Sequence, residues 1–326
     1  MLNYQKLETG IFLVKSNSSV GPKSNGILIK NGEKSGDILI DGNFSKNEIK
    51  RLNIDLNAEI NTFFVSHTHL DHVSNLHFYE NPSIKIFCPV PEDRYLKNMN
   101  IFLKENGMVD FGVDNIFREL IYEDFEFKNL THIHEFKPGT KFTYNRNIIE
   151  TIHIPGHSPG HTAYLIRDNS EVRRAILFVS DIGIERSGPW YGLSHCSLED
   201  VRISIRKMEN VYLGNNNGDI ILTSAHGTAY FTKQPEIFKK ALKRIDGNEE
   251  KVLQSFNYDY PLGLKDVIFK GVYYPEKHIA RLSPSVKKIH FFWEWNIILH
   301  HVNELIEKGK LVEKSEDPST YLCSSE

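Results

Sequence analysis

Three imidazoles and one carboxylate lie within the six residues His67 to His72, one residue after the apolar run Phe63 to Val65. Aromatic and β-branched residues in such a run are typical of a strand buried on both faces, so the histidines follow the end of that strand. His67, His69 and Asp71 share strand parity, and His72 breaks it, so the chain must turn there. Donors at this density indicate a metal site, and their two directions could serve two ions.

Three later segments each add one donor after an apolar run. His157 lies in the Gly-containing turn after Ile154, Asp181 follows Ile176 to Val179, and His226 follows Ile220 to Thr223. The sequence thus contains four motifs in which a possible metal ligand follows an apolar run.

These four motifs, in this order, resemble those of the metallo-β-lactamase superfamily, in its glyoxalase II, lactonase and lactamase-β-2-like branch, with a helical C-terminal extension. The resemblance implies two divalent metal ions, zinc foremost, with iron or manganese as alternatives. It implies that three histidines hold one metal, namely His67, His69 and His157. The other metal would be held by Asp71, His72 and His226, and Asp181 would bridge the two metals. Water held between the ions would be the nucleophile, and Asp71 would orient it and pass its proton to the leaving group.

Further side chains are expected to support this site. The resemblance suggests that His195 and Tyr191, in the loop after Asp181, stabilise an oxyanion during catalysis, and that His161 forms a hydrogen bond behind the ligands. Asp41, at the end of an early apolar run, is expected to support the site by hydrogen bonds or to start a turn. The other histidines lack a motif and are interpreted as structural: His77, His132, His134, His153, His278, His290, His300 and His301.

The composition is that of an ordinary globular protein, with 326 residues, 40% hydrophobic and 25% charged. A net charge of −3 gives no reason to expect nucleic-acid binding. The three cysteines, Cys88, Cys196 and Cys323, form no disulfide or zinc-finger pattern. The first residues do not read as a signal peptide and no apolar run is long enough to span a membrane, so we expect a cytoplasmic protein that acts on a small molecule, with homodimerisation left open.

The resemblance implies an α/β fold, a four-layer αββα metallo-β-lactamase sandwich, for residues 1–235. After Pro235 the pattern turns helical, and residues 236–326 are expected to form a smaller, mainly helical, winged-helix-like domain that covers the active site. Helices are predicted at 91–105, 236–245 and 286–311, with a weaker one at 262–271. The aromatic residues of the irregular stretch 106–137 and of Phe291 to Trp295 could line a pocket, although packing is the preferred interpretation.

Three functional hypotheses follow. The first is a metal-dependent hydrolase of a small ester, thioester or lactone. The second is a phosphodiesterase or ribonuclease that uses the same metals, and the third is a regulatory protein with little turnover. A secreted β-lactamase, a flavodiiron oxidoreductase and a nuclease that processes messenger-RNA ends are disfavoured, because the export signal, the flavin domain and the large inserted domain that they require are not found.

Overall fold

The structure is a computed structural model that describes residues 2–16, 23–32, 36–169, 174–214, 220–256, 259–316 and 319–324. Its strands, numbered along the chain, are β1 (Leu2–Glu8), β2 (Ile11–Ser16), β3 (Gly26–Ile29), β4 (Asp37–Asp41), β5 (Ile60–Phe64), β6 (Lys85–Pro89), β7 (His134–Phe136), β8 (Lys141–Tyr144), β9 (Asn147–His153), β10 (Thr162–Asp168), β11 (Ala175–Phe178), β12 (Ile220–Thr223), β13 (Leu262–Gly263), β14 (Leu311–Glu316) and β15 (Ser319–Cys323). Its α-helices are α1 (Lys46–Leu56), α2 (Leu70–Val73), α3 (Asp93–Lys97), α4 (Met99–Glu105), α5 (Met108–Phe111), α6 (Asp114–Arg118), α7 (Leu198–Leu213), α8 (Glu236–Ser255), α9 (Leu264–Val267), α10 (Glu276–Ile279) and α11 (Pro284–Glu307). A short 3₁₀ turn covers Leu76–Phe78, and a π-helical turn covers Glu119–Asp124.

Two large sheets form the centre of the molecule. The first has the order β1-β2-β3-β4-β5-β6-β7, antiparallel from β1 to β4 and parallel from β4 to β7. The second has the order β12-β11-β10-β9-β8, with only β11 and β12 parallel. Parallel neighbours end at the same edge of a sheet, so the loops after β4, β5 and β6, and those after β11 and β12, gather at common edges.

The layers follow from the alternation of side chains along the strands. Ile38 and Ile40 of β4 pack with Phe178 of β11 in a core between the two sheets. The opposite-facing Leu39 of β4 and Leu177 of β11 belong to a second core that also includes Leu52 of α1 and Ile205 and Met208 of α7. Helices therefore cover the outer faces of both sheets, and the predicted αββα sandwich is confirmed.

Local sequence signals explain several helix ends. Ser45 caps α1 and forms a capping box with Glu48. The helix predicted at 91–105 is divided into α3 and α4 at Asn98, whose extended backbone allows its side chain to accept a hydrogen bond from the N–H of Asn100. The stretch 106–137, expected to be irregular, forms the short helices α5 and α6 and the edge strand β7.

Residues after 235 combine helices with a small sheet. The helix predicted at 262–271 is wrong over most of its length, because Leu262 and Gly263 pair with Tyr321 and Thr320 in a three-stranded sheet of order β13-β15-β14. The helix predicted at 236–245 extends to Ser255 as α8, which packs against α11. The boundary at residue 235 stays a prediction. Among the described residues no helix is both long and apolar enough to cross a membrane.

Candidate metal centre

All seven predicted ligands follow the carboxyl ends of strands. His67 and His69 lie in the loop after β5, and Asp71 and His72 lie on α2, which begins at once after that loop. The remaining ligands follow three strands of the second sheet: His157 after β9, Asp181 after β11 and His226 after β12. The structure brings these side chains together in two adjacent groups, one of His67, His69 and His157 and the other of Asp71, His72, Asp181 and His226, with the ligand atoms of each group within 4.8 Å of one another.

Asp181 lies between the two groups. Its Oδ2 is 3.6 Å from Nε2 of His157 and 3.9 Å from Nε2 of His67 in the first group. In the second group it is 3.4 Å from Nε2 of His72 and 3.2 Å from Nε2 of His226. One carboxylate oxygen is thus within reach of imidazoles from both groups, which is the position that a bridging carboxylate requires.

Hydrogen bonds behind the ligands fix which ring nitrogen faces the centre. His72 donates from Nδ1 to Asp41 Oδ2 at 2.9 Å, and His157 donates from Nδ1 to the carbonyl oxygen of Trp190 at 2.8 Å. The Ser66 hydroxyl donates to Asp41 at 2.5 Å and accepts from Nδ1 of His67 at 3.0 Å. These tautomers are assigned from the hydrogen-bond network, and they leave the Nε2 lone pairs of all three rings directed at the centre.

The arrangement of these lone pairs fits a bound cation. Nε2 of His67 and Nε2 of His157 lie 3.1 Å apart, and in the tautomers just assigned neither carries a proton to share. Nε2 of His69, Nε2 of His72 and Oδ1 of Asp181 are buried without a hydrogen-bond partner among the described residues. Buried polar atoms are normally paired, so lone pairs converging in this way indicate ligands for a metal.

The two groups differ in their electrostatics. Burial, reinforced by neighbouring imidazoles, lowers the pKa of His67 and His69 well below the ordinary value, so these rings are neutral, as metal ligands must be. Burial also lowers the pKa of His72, but the charges of Asp181, Asp71 and Asp41 outweigh it and leave that pKa well above its usual range. The Asp181 charge is the main cause that raises the pKa of His226, to about 12. The second group is therefore rich in negative charge and holds either protons or a cation.

Two buried side chains support the ligand loops from behind. His161, expected to lie behind the ligands, accepts a hydrogen bond at Nε2 from the backbone N–H of Asp181 at 3.2 Å. Glu92, which was not predicted from the sequence, accepts from the backbone N–H of Thr68 at 3.1 Å and from its hydroxyl at 2.6 Å, and from the N–H of Gly160 at 2.8 Å. It thereby ties the loop of His67 and His69 to the loop of His157 and His161. A glutamate after Pro91 reads as an ordinary first helical turn, so no local signal marks it.

The two residues expected to stabilise an oxyanion are placed differently. The His195 ring is parallel to that of His69, with centroids 6.5 Å apart, and burial lowers its pKa to about 3, so it is neutral. Tyr191 is fully buried, and its hydroxyl is hydrogen-bonded to Nε2 of His301 at 2.8 Å and accepts from Asn248 at 3.1 Å. Neither residue lines the cavity described below, and the geometry around Tyr191 supports a packing role.

A cavity of about 540 Å³ opens onto both ligand groups. Its walls come from three parts of the chain: the segment of Phe102 to Phe125, the loop after Asp181 with Trp190 and Leu193, and the C-terminal part with Tyr273, Tyr274 and Trp293. The sequence pattern offers Trp293 as a wall but favours packing, and it gives no sign of the two tyrosines. Tertiary packing, and not a local sequence pattern, places Tyr273 and Tyr274 in the cavity wall.

Comparison with known proteins supports this fold. No family profile matches the sequence. Hydroxyacylglutathione hydrolase GloC of Haemophilus influenzae is 24% identical over 214 residues, which cover 62% of this chain and 84% of that protein.

Two solved structures are similar over nearly the whole chain. A metallo-β-lactamase family protein of Thermus thermophilus has a TM-score of 0.72 at 16% identity and covers 98% of this chain and 100% of its own. A β-lactamase domain protein of Burkholderia ambifaria has a TM-score of 0.70 at 14% identity, with 99% and 95% covered. At these identities the structures show a shared fold, which includes the residues after 235. The chain therefore has the fold of metallo-β-lactamase proteins, and in this chain that fold carries the two ligand groups.

Proposed function

We propose that this protein is a cytoplasmic, dinuclear metal-dependent hydrolase of a carbonyl substrate, an ester, thioester or lactone, with zinc as the first candidate metal. The observation that carries the proposal is the convergence of seven ligand side chains in two adjacent groups at the base of a cavity large enough for a small molecule. The curated relative acts, by its name, on hydroxyacylglutathione, which is a thioester, and this supports the same bond type here.

His67, His69 and His157 would hold one ion, Asp71, His72 and His226 the other, and Asp181 would lie between them. Two divalent ions at these positions would lower the pKa of a bound water and would place positive charge near the carbonyl oxygen under attack. Asp41, Ser66 and the Trp190 carbonyl keep the imidazoles in the ligating tautomer.

Asp71 is the proposed proton carrier. Its Oδ2 is 3.1 Å from Nε2 of His226 and 3.6 Å from Nε2 of His72, and the side chain lines the cavity while remaining partly exposed. A carboxylate there can orient the attacking water, take its proton and deliver it to the leaving oxygen or sulfur. A new C–O bond forms between the carbonyl carbon and the water oxygen, and the C–O or C–S bond to the leaving group breaks.

Few cationic side chains face the cavity, and this favours carbonyl substrates over phosphodiesters. Among the described lining residues Lys23 is the one lysine or arginine, whereas enzymes that bind RNA backbones present several.

The test is elemental analysis of the purified protein followed by a panel of thioesters, esters, lactones, phosphodiesters and short RNAs. We expect about two equivalents of metal and hydrolysis of the carbonyl compounds, abolished by chelation and reduced by Asp71→Asn by about 10²-fold or more, the order that general acid–base catalysis contributes. Asp55→Asn, an exposed partner of Arg51 on α1, is the matched control and should retain full activity. Cleavage of RNA with no turnover of carbonyl compounds would overturn the proposal.

A further inference from the structure

The cavity above the ligand groups is lined mainly by apolar side chains. Phe102 of α4, Phe117 of α6 and Leu193 face it together with Trp190, Tyr274 and Trp293. Apart from the proposed metal ligands, the charged side chains among the described lining residues are Lys23 and Glu185.

The polar atoms of three aromatic wall residues, Trp190, Tyr273 and Tyr274, are hydrogen-bonded within the protein. Trp190 donates from its indole N–H to the Tyr274 hydroxyl at 2.9 Å, and the Tyr273 hydroxyl donates to the carbonyl oxygen of Pro189 at 3.1 Å. Trp190 and Trp293 meet edge to face, with centroids 5.6 Å apart. The walls therefore offer ring carbons to a ligand and few free hydrogen-bonding groups.

The wall contributed by the C-terminal part is held in place by a buried carboxylate. Glu294, next to Trp293 on α11, accepts hydrogen bonds from the backbone N–H groups of Phe269 at 3.1 Å and Tyr273 at 3.4 Å. This fixes the loop of Tyr273 and Tyr274 against the helix of Trp293. A preformed wall costs little ordering when a ligand binds.

Basic side chains are scarce in the cavity walls. Glu185 lines the cavity, and its Oε1 is buried without a hydrogen-bond partner among the described residues. The Asp71 and Asp181 carboxylates at the base of the cavity are proposed metal ligands, so bound ions would offset their charge. For carboxylates held away from the ions, such as those of a glutathione thioester, Lys23 is the one basic side chain in the described lining.

We infer that the substrate is a thioester or ester whose acyl group is a medium or long apolar chain, seated in this cavity with its carbonyl carbon at the ligand groups. The inference rests on the proposed hydrolase function and specifies its substrate. Hydrolysis of such a thioester adds water to the carbonyl carbon and breaks the C–S bond; one proton goes to the leaving thiolate and one to solvent, and the products are a carboxylate and a thiol.

The first experiment measures kcat/KM of the metal-loaded protein for acetyl, butanoyl, octanoyl and dodecanoyl thioesters and for lactoylglutathione. Burying one methylene gives a gain of up to about four-fold, so kcat/KM should rise by roughly two- to four-fold per methylene until the cavity is filled. Lactoylglutathione should be poorer than the octanoyl compound. Turnover that is independent of chain length, or best with lactoylglutathione, would overturn the inference while leaving the hydrolase proposal intact.

The second experiment does not depend on turnover. The chain has three tryptophans, of which Trp190 and Trp293 line the cavity. The uncharged 1-decanol added to the metal-free protein should change their fluorescence in a saturable way, and ethanol should not. If decanol binds but no acyl compound is hydrolysed, the apolar ligand is supported and the hydrolase proposal fails. If neither binding nor hydrolysis occurs, both fail.

A matched pair of variants on α11 locates the effect. Trp293→Ala removes a cavity wall and should lower the octanoyl-to-acetyl ratio of kcat/KM by about ten-fold or more. Trp295→Ala removes a tryptophan of the same helix that packs on Phe111 and Phe291 outside the cavity, and should leave the ratio unchanged. Equal effects of the two substitutions on this ratio would contradict the assignment of the substrate's acyl chain to this cavity.

Discussion

Asp41→Asn is the substitution that tests most directly how the fold prepares the metal centre. The buried Asp41 carboxylate accepts the Ser66 backbone N–H at Oδ1 (2.8 Å) and, at Oδ2, the Ser66 hydroxyl (2.5 Å) and Nδ1–H of His72 (2.9 Å). Asparagine can keep the first bond, but its amide then presents N–H groups to the other two donors. The backbone at Asp41 has a φ of 51°, a conformation that asparagine also tolerates, so the change acts on the side chain alone.

The expected magnitude follows from these contacts. Loss of a partner behind a ligand typically weakens metal binding by about 10–100-fold, or about 1.4–2.8 kcal/mol. His72 should show this loss because its proton is driven from Nδ1 to Nε2, the atom that must bind the metal. Two hydrogen bonds to a charged group are also lost, at about 1.5–3 kcal/mol each, so the metal-free protein should be destabilised by about 3–6 kcal/mol.

Asp37→Asn is the control that separates destabilisation from loss of metal binding. Asp37 is buried at the other end of β4, roughly 13 Å away at about 3.3 Å per residue, and accepts the N–H groups of Asn31 and Glu59 at 2.9 Å each. Both variants should unfold at lower denaturant concentration, but only Asp41→Asn should bind Zn²⁺ more weakly in competition with a chromophoric chelator. Wild-type zinc affinity in Asp41→Asn, or an equal loss in Asp37→Asn, would refute the reasoning.

Three further predictions follow from the same contacts. Glu92→Gln should weaken zinc binding by about ten-fold, because it disturbs the hydrogen bonds that link two ligand loops. Glu135→Gln, which changes an exposed partner of Lys97, should leave zinc affinity unchanged. Equal zinc affinities of the two variants would argue against the link. Zinc binding at neutral pH should release roughly two protons, because the raised pKa values of His72 and His226 keep both rings protonated in the absence of metal. Calorimetry in buffers of different ionisation enthalpy measures the number of protons released. Zinc binding without proton release would contradict this prediction. Burial raises the pKa of Glu294 from 4.5 to about 7, so its contribution to stability is full below 4.5 and is lost as the pH rises to about 7. The Tm of Glu294→Gln should therefore rise relative to that of wild type across this range, and a constant difference would show that Glu294 does not titrate there.

The parts of the fold that local patterns determine were predictable. Short apolar runs precede His67, Asp181 and His226, and each run forms a buried strand. A metal-ligand side chain that follows such a strand lies at the edge of the sheet. By contrast, β1 and β7 lie at the two edges of the first sheet, where strands expose one side and carry polar residues, as in Leu2–Glu8, so their sequences lack the apolar run of a buried strand. The short α9 was overextended because the pairing of Leu262 with Tyr321 depends on a strand far along the chain.

The same distinction explains which site residues were found. The predicted ligands and Asp41 are marked by their position after strands, whereas Glu92 acts through contacts with Thr68 and Gly160 that no spacing reveals. The catalytic role suggested for Tyr191 by its position in the loop after Asp181 stays a prediction. In the structure its hydroxyl is hydrogen-bonded to His301 on α11, a contact with a distant part of the sequence that no local pattern reveals. Loop side chains can be placed only when their tertiary partners are known.

One wall of the cavity comes from a different part of the chain than the metal ligands, and this has a functional consequence. Every proposed ligand precedes residue 235 and is held by strand ends and the hydrogen bonds behind them, whereas Tyr273, Tyr274 and Trp293 come from the C-terminal part. Metal binding and substrate choice should therefore respond to separate sets of substitutions. Trp293→Ala should retain the wild-type zinc affinity while changing acyl preference, and Asp41→Asn should weaken zinc binding while keeping the preference among the substrates that it still hydrolyses. Coupled losses in both variants would mean that the C-terminal wall also supports the metal centre.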